Sequence, residues 1–427
     1  MRPVRVLFHV THMRRGGGIE ASLLSWLAVL DRRTFAPALS IAFPTDDFDT
    51  VFAERLPADV AVHWLGRERW LSACRTRKLA GTLGWAGRVY EDVLLPQVRK
   101  RVFGQRMAAL AVDFDLIIDY DMSLVRFADG CGKPLVGIAH FRFPAAAAMG
   151  PRKQRTLARY YRRYDRIVAI CSAMQQGGVA LFPALAARFV TLYPGFDRDD
   201  IVRRAALPLP LPIPRALQYP LSPAASLAPE AAFGPRYLIS VTRLEESQKD
   251  LTTLLRAYAQ LVTQHAFGGA LVIVGDGRDR AMLEALAAAL GVAARVHFLG
   301  FIANPLPLVR QARVLVLSSR YEGLPTILIE ALMLGQVLVS SDCPTGPHEI
   351  LDAGRAGLLV APGDVPALAT ALLRAWDDQA LRETLQAGAQ QHAALFDVPA
   401  FAARVRALAQ TLVPHLLPLP APPTQDR

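Results

Sequence analysis

The stretch Arg320-Tyr-Glu-Gly-Leu-Pro-Thr-Ile-Leu-Ile-Glu330 decides how the rest of this chain reads. Before it, Val314-Leu-Val-Leu-Ser-Ser319 is an apolar run without alternation, the pattern of a parallel strand buried on both faces. After it, the segment from Pro325 to Leu334 predicts a helix with Pro325 at its first position, where a missing N–H costs nothing. Strand, short loop and helix make half of a βαβ unit, and such units bind ligands outside the carboxyl ends of their strands. Glu322 falls in the loop and Glu330 in the second helical turn. The N–H groups of Gly323, Leu324 and Thr326 can point into the same crevice, at the positive end of the helix dipole. Backbone donors for an anion beside two carboxylates for hydroxyl groups suit a nucleotide sugar.

Two solvated glutamates are the plainer alternative, since charged residues mostly occupy wet faces. Glu330, however, interrupts an apolar helix, Ile327-Leu-Ile-Glu-Ala-Leu-Met333, and is expected to be at least partly buried. A buried carboxylate requires a partner.

Upstream, the second domain opens with a strand from Tyr237 to Thr242, followed by Arg243-Leu-Glu-Glu-Ser-Gln-Lys249 and a helix from Leu251 that Asp250 would cap. Arg243 leaves the strand's carboxyl end and Lys249 precedes the helix, so both can face the crevice and neutralise a departing diphosphate. Leu271-Val-Ile-Val-Gly-Asp-Gly277 and Arg295-Val-His-Phe-Leu-Gly-Phe301 read as further buried strands.

In the first half, a strand from Val4 to Val10 leads through Thr11-His-Met-Arg-Arg-Gly-Gly-Gly-Ile-Glu20 to a helix from Ala21 to Leu30. A Gly-rich turn there lets backbone approach a ligand, although the glycines lack the G-x-G-x-x-G spacing. Asp115-Leu-Ile-Ile-Asp119 and Pro134-Leu-Val-Gly-Ile-Ala-His140 read as strands with a polar residue at each carboxyl end. Asp119-Tyr-Asp121 spells D-x-D; we read these aspartates as acceptor-side or structural groups. Asp165-Arg-Ile-Val-Ala-Ile-Cys-Ser172 is another strand, with Ser172 as the expected cap of the next helix.

Composition bounds the class. At 427 residues the chain exceeds one ordinary core. Domains are expected at 1–205 and 236–398, joined by a Pro-rich linker at 206–235 and followed by a helix and tail at 399–427. The helix is expected to cross back to the first domain. The tail beyond Pro414, rich in proline, reads as disordered. Four scattered cysteines form no C-x-x-C pair and read as reduced, mostly buried thiols of a cytosolic protein. Cys343 and His348 are too few for zinc, and nothing marks Cys343 as a nucleophile. No run approaches the ~18 apolar residues of a spanning helix, so a soluble or membrane-peripheral protein is expected.

A net charge of +11 calls for an anionic partner. The basic residues are densest from Arg67 to Arg106, among Trp64, Leu65, Trp70, Leu71, Leu79, Trp85 and Leu94. That mixture suits peripheral attachment to an anionic membrane, with an ordinary solvated amphipathic surface as the alternative. Nothing resembles a nucleic-acid module.

The segment from Asn304 through Glu330, with Ser341-Asp-Cys-Pro-Thr-Gly-Pro-His-Glu-Ile350, resembles the donor-binding domain of family 4 of the retaining glycosyltransferases. Its E-x7-E spacing falls on Glu322 and Glu330. The resemblance is strong from about Tyr237 to Asp364 and traceable from Val4 to Asp197, with Pro194 where Asn is usual. It implies the GT-B fold, an α/β architecture of two Rossmann-like domains facing across a cleft. It further implies Arg243 and Lys249 on the diphosphate, Glu322 on the sugar, Glu330 on the ribose and the backbone of Leu299 to Phe301 on the base. Gly323, Leu324, Pro325 and Thr326 would line the donor site. Gly17 and Gly18, in Gly17-Gly18-Ile19-Glu20, would face it from the first domain, with His140 near the transferred sugar. The implied reaction needs no metal and no cofactor beyond a nucleotide-sugar donor. UDP is favoured because Asn304-Pro305 and 342–347 look most like bacterial polysaccharide and lipopolysaccharide enzymes, whose acceptors are glycans or lipid-linked glycans. A GT-B sugar-nucleotide epimerase and a non-enzymatic anionic-membrane binder are the alternative readings.

Overall fold

The computed structural model describes residues 2–14, 18–79, 82–128, 131–140, 143, 149–208 and 237–417. It divides into two compact units, Met1–Gly195 with Val398–Arg427, and Phe196–Asp397.

The first unit holds a seven-stranded sheet in the order β3-β2-β1-β4-β5-β6-β7. Its strands are β1 (Val4–Val10), β2 (Phe35–Ile41), β3 (Ala61–Trp64), β4 (Leu116–Asp119), β5 (Leu135–Ala139), β6 (Arg166–Ala169) and β7 (Phe189–Thr191). All pair in parallel. Such a sheet is covered by helices on both faces, which is why β4 and β5 are buried throughout instead of alternating. The helix after β1 spans Gly18–Val29 and starts three residues before the expected Ala21. The last helix, Val398–Leu412, belongs to this unit, where Phe401 packs edge-on against Trp26 with ring centres 4.8 Å apart.

The second unit holds a six-stranded parallel sheet in the order β10-β9-β8-β11-β12-β13. These strands are β8 (Tyr237–Val241), β9 (Ala270–Val274), β10 (Val296–Gly300), β11 (Val314–Leu317), β12 (Leu338–Ser341) and β13 (Leu358–Val360). The strand order reverses between β8 and β11, so the loops leaving those two strands diverge and open a crevice between them. The core beneath comes from Leu238, Leu254, Tyr258, Ile273, Val316 and Leu372.

Three local expectations change. Pro325 is the N-cap, and the helix runs Thr326–Met333. Asp250 adopts a left-handed conformation (φ 47°) and caps nothing with its side chain; the Glu246 carboxylate accepts from Thr252 N instead. Cys171, not Ser172, sits at the N-cap of Ser172–Leu181, because the strand ends at Ala169. The expected division inside 206–235 also sits too late. The helix Arg198–Ala205 packs on Leu306–Gln311 and Thr326–Met333, which places it in the second unit. The Pro-rich linker at 209–235 and the tail from 418 lie outside the described residues. No described helix is long and apolar enough to cross a membrane.

Gly275 ties β9 and β10 to the start of the crevice. Its N–H donates to Gly300 O at 2.8 Å, its φ is 135°, and a Cβ there would lie 1.8 Å from Thr242 O. Gly291 also has positive φ (72°) but faces open space. Gly275→Ala is therefore expected to cost about 2–4 kcal/mol and Gly291→Ala about 1 kcal/mol. Thermal midpoints of the two variants test the order.

Candidate functional site

The site in the second unit is built by the loops that follow β8 and β11. After β8 the chain passes Arg243 and a short helical turn, Glu246–Lys249. After β11 it passes Ser318, Ser319 and Glu322 before the helix Thr326–Met333. The two loops are laced together. Arg320 N donates to Gln248 O at 2.8 Å, Ser318 Oγ to Lys249 O at 3.0 Å, and Arg320 Nη2 to the buried Asp250 carboxylate at 2.9 Å.

The centre of the lacing is an ion pair. Lys249 Nζ donates to Glu322 Oε1 at 2.6 Å, and the two side chains are only 12% and 6% exposed. Ser319 Oγ donates to the same oxygen at 2.6 Å, and Gln248 Nε2 reaches Oε2 at 3.5 Å. Thr345 Oγ1 donates to the Glu322 carbonyl, which anchors the loop to the chain after β12. Gly346 completes that anchor. Its φ is 89°, and a Cβ there would strike Pro325 Cδ at 2.7 Å and Gly323 O at 2.8 Å. Burial with partners of this kind is what a carboxylate and an ammonium both require.

Above this base, the N–H groups of Gly323, Leu324 and Thr326 have no hydrogen-bond partner among the described residues. They open toward the N-terminus of Thr326–Met333, where the helix dipole favours an anion. Arg243 stands at the end of β8, 61% exposed, with only loose contacts to Gln248 and to Glu245 at 3.8 Å. Phe301 is exposed beyond β10.

Glu330 lies one turn down the same helix, with 18% of its side chain exposed. Burial pushes its carboxyl up to about 7, with Asp200 adding to the rise and Arg204 opposing it. Arg204 Nη1 stands 3.7 Å from Glu330 Oε1, and Asn304 Nδ2 holds the Arg204 carbonyl at 2.8 Å. The buried carboxylate thus has the partner that burial demands.

Sequence reasoning missed Arg204, Ser319 and Gln248. For Arg204 a signal existed. Asp197-Arg-Asp-Asp-Ile-Val-Arg-Arg-Ala205 carries acids in its first turn and bases in its last, and the Asp197 carboxylate accepts from Asp200 N at 3.0 Å. That is a capped helix, not the start of a linker. Lys249 and Glu322, expected on separate parts of a ligand, are bonded to each other in this structure.

The first unit gathers polar groups at its own reversal point, between β1 and β4. The Asp121 carboxylate accepts from Thr11 N at 2.7 Å. Asp119 accepts from Ser123 N, Leu124 N and Tyr164 Oη at 3.0, 2.8 and 2.6 Å. Burial nonetheless raises its carboxyl to about 8. The D-x-D aspartates are spent on backbone N–H groups and on the hydroxyls of Tyr164 and Ser123, which fits the structural side of the sequence reading. No cluster of three or more potential metal ligands occurs among the described residues. His140 follows β5, packs against Tyr120 at 4.6 Å and has no partner for Nε2 among the described residues; burial lowers it to about 4, so its ring is neutral at pH 7. Glu20 is buried and accepts from Arg14 N at 3.3 Å. Gly17 lies outside the described residues, and Gly18 opens the first helix.

Cys343 is buried, and burial with the nearby Glu322 pushes its thiol up to about 12, so it is no thiolate at neutral pH. All four cysteines are free thiols, two buried and two half-buried.

Because Lys249 and Glu322 are both withdrawn from water, Lys249→Met is expected to cost about 3–5 kcal/mol by leaving an unpaired buried carboxylate. Adding Glu322→Gln should recover most of that loss, and denaturation midpoints of the single and double variants measure the coupling.

Residues 235–378 match the family described as glycosyl transferases group 1. An alpha-1,4-N-acetyl-D-galactosaminyltransferase of Campylobacter jejuni, named for a PP-undecaprenol-linked glycan, is 34% identical over 161 residues, 38% of this chain and 44% of that protein. The lipopolysaccharide 1,6-galactosyltransferase of Salmonella typhimurium is 33% identical over 136 residues, 31% of this chain and 37% of that one. The chain thus spans less than half the length of these curated relatives. Among solved structures, Anabaena HepE in complex with UDP superposes with a TM-score of 0.72 at 19% identity, over 96% of this chain and all of that one. The chain has the GT-B fold, and its residues 235–378 match the glycosyl transferases group 1 family.

Proposed function

We propose that this protein is a retaining, metal-independent glycosyltransferase of family 4 that moves a sugar from a nucleotide diphosphate donor, with UDP favoured. The observation that carries the reading is the crevice between the β8 and β11 loops. There a buried Lys249–Glu322 pair, three unpartnered backbone N–H groups and the half-buried Glu330 converge at a strand-order reversal. Lys249 keeps two further N–H donors after serving Glu322, and the exposed Arg243 reaches Gln248, the residue before it, at 3.3 Å.

In the transfer, the bond from the sugar's anomeric carbon to the β-phosphate oxygen breaks, and its electron pair leaves with the diphosphate. Lys249, Arg243 and the helix N-terminal amides stabilise that charge, so no metal is invoked. The acceptor hydroxyl forms the new bond from the same face, and its proton passes to the departing phosphate. Glu322 holds sugar hydroxyls, Glu330 holds the ribose, and the chain around Leu299 to Phe301 meets the base. His140, neutral at pH 7, would donate or accept a hydrogen bond near the sugar.

The UDP complex of HepE and the lipid-linked and lipopolysaccharide acceptors in the relatives' names support a UDP-sugar donor and a glycan or lipid-linked acceptor in cell-envelope polysaccharide synthesis. A lipid-linked acceptor would bring the protein to the face of a membrane from the cytoplasm.

Calorimetric titration with UDP, GDP and ADP in EDTA tests the donor. Tightest binding of UDP is expected, with Lys249→Ala and Glu330→Ala each weakening it by about tenfold, the loss of one charge-assisted contact. Unchanged affinity in both variants would remove the assignment.

Glu330 also sets a pH dependence. Its carboxyl is neutral below and charged above about 7. A charged carboxylate accepts ribose hydroxyls more strongly, so the ratio of wild-type to Glu330→Gln affinity is expected to rise from about pH 6 to about pH 8. Taking the ratio cancels the titration of the nucleotide's own phosphate.

A further inference from the structure

In the first unit, the segment that follows the helix Arg69–Leu79 turns its apolar side chains outward. It consists of a helical turn at Trp85–Val89, a π turn at Tyr90–Leu94 and a helix at Leu95–Ala111. The wider π turn lengthens the repeat beyond the usual ~3.6 residues. A line at four-residue spacing, Leu83, Gly87, Glu91, Leu95, Arg99 and Phe103, therefore faces the protein. Glu91 and Arg99 form a two-point buried ion pair at 2.6 and 2.8 Å. Arg99 Nε also donates to Leu71 O at 2.9 Å and its guanidinium lies 4.9 Å from the Phe43 ring centre. The segment is pinned along one line.

The opposite face carries Trp85 (81% exposed), Val89, Tyr90, Val93 (60%), Leu94 (57%) and Val98. Six large apolar side chains on successive turns are more than the scattered exposure a wet surface carries. Water is a poor solvent for them, and each is at least 43% exposed.

The charge around this face is one-sided. From Arg67 to Arg106 there are ten basic and three acidic residues. Each acid is already matched: Glu68 with Arg106, Glu91 with Arg99, and Asp92 with Lys78. Arg69, Arg77, Arg88, Lys100 and Arg101 are exposed and have no carboxylate partner among the described residues.

We propose that this face inserts into the headgroup and upper acyl region of an anionic bilayer, with Trp85, Val89, Val93 and Leu94 entering and the unmatched arginines and Lys100 meeting lipid phosphates. A basic rim about an exposed apolar line fits a negatively charged interface, whereas a self-interface would place these like charges against each other. The inference deepens the proposed function by naming the surface at which a lipid-linked acceptor would be met. The sequence had pointed to Trp64, Leu65, Trp70 and Leu71 as well. Leu65 and Leu71 are core residues and Trp64 is half-buried, so the face narrows to Trp70 and 85–98.

The test is sedimentation of the full-length protein with vesicles of phosphatidylcholine alone and of phosphatidylcholine with phosphatidylglycerol. The wild type is expected to bind the mixed vesicles in preference, and Val89→Ser/Val93→Ser/Leu94→Ser to bind them at least about tenfold more weakly. Lys100→Glu/Arg101→Glu should weaken binding to the anionic vesicles only. The Trp85 contribution to fluorescence, taken as wild type minus Trp85→Phe, should shift to the blue with vesicles. The apolar triple variant binding like the wild type, or the wild type ignoring both vesicle types, would overturn the proposal. So would a wild-type dimer that the triple variant dissolves, since a second copy would then cover the face. UDP titration separates the two readings: a wild type that binds UDP but neither vesicle type sinks this surface alone, a wild type that binds anionic vesicles but no UDP sinks the donor site alone, and the triple variant is expected to keep the wild-type UDP affinity.

Discussion

Lys249 and Glu322 sit 2.6 Å apart, almost out of water, on loops that leave neighbouring strands in opposite directions. A parallel sheet that reverses its order must open there, and an open crevice must be lined by whatever those loops carry. Here they carry opposite charges that pair with each other, with Ser319 and Gln248 on the same carboxylate and Thr345 on the Glu322 carbonyl. The pair does two jobs on one set of atoms. It fixes the loop ahead of Thr326–Met333, so that the free N–H groups keep their direction. It also leaves a cation with spare donors at the bottom of the crevice. Desolvation makes the arrangement costly to break and therefore well ordered.

Glu330 is the second constraint, and it is softer. An apolar helix puts a carboxyl where burial raises it to about 7, and Arg204 from a preceding helix offsets the cost. The arginine arrives from a segment whose own cap and turn charges show it to be a separate helix. Under the proposed function, nucleotide recognition at Glu330 and the integrity of that helix are linked through one ion pair at 3.7 Å.

Much of this was legible in the chain. The strands β8, β9 and β11 announce themselves as short apolar runs because parallel strands are buried on both faces, and the residues at their carboxyl ends follow at once. What was not legible was pairing at a distance. Nothing in Arg243-Leu-Glu-Glu-Ser-Gln-Lys249 says that Lys249 will meet Glu322 rather than its neighbours Glu245 or Glu246. Asp250 looked like a helix cap, but the chain needed a left-handed residue there, which Asp tolerates, and Glu246 took the capping bond. The region 67–106 showed its charge plainly and hid its geometry. Only the packing of the two segments sorts Leu71, in the core, from Trp85, in water. The Pro-rich run announced a boundary, yet the second unit begins before it, because Arg198–Ala205 buries its apolar side against the helices it reaches.

The central claim is a location: that a nucleoside diphosphate occupies the crevice between the β8 and β11 loops. A crystal structure of the protein grown with UDP measures it directly. The account expects diphosphate density within hydrogen-bond reach of Lys249 Nζ and the Thr326 end of its helix, with the ribose at Glu330. Ordered UDP elsewhere on the protein, with the Lys249–Glu322 crevice empty, would contradict it.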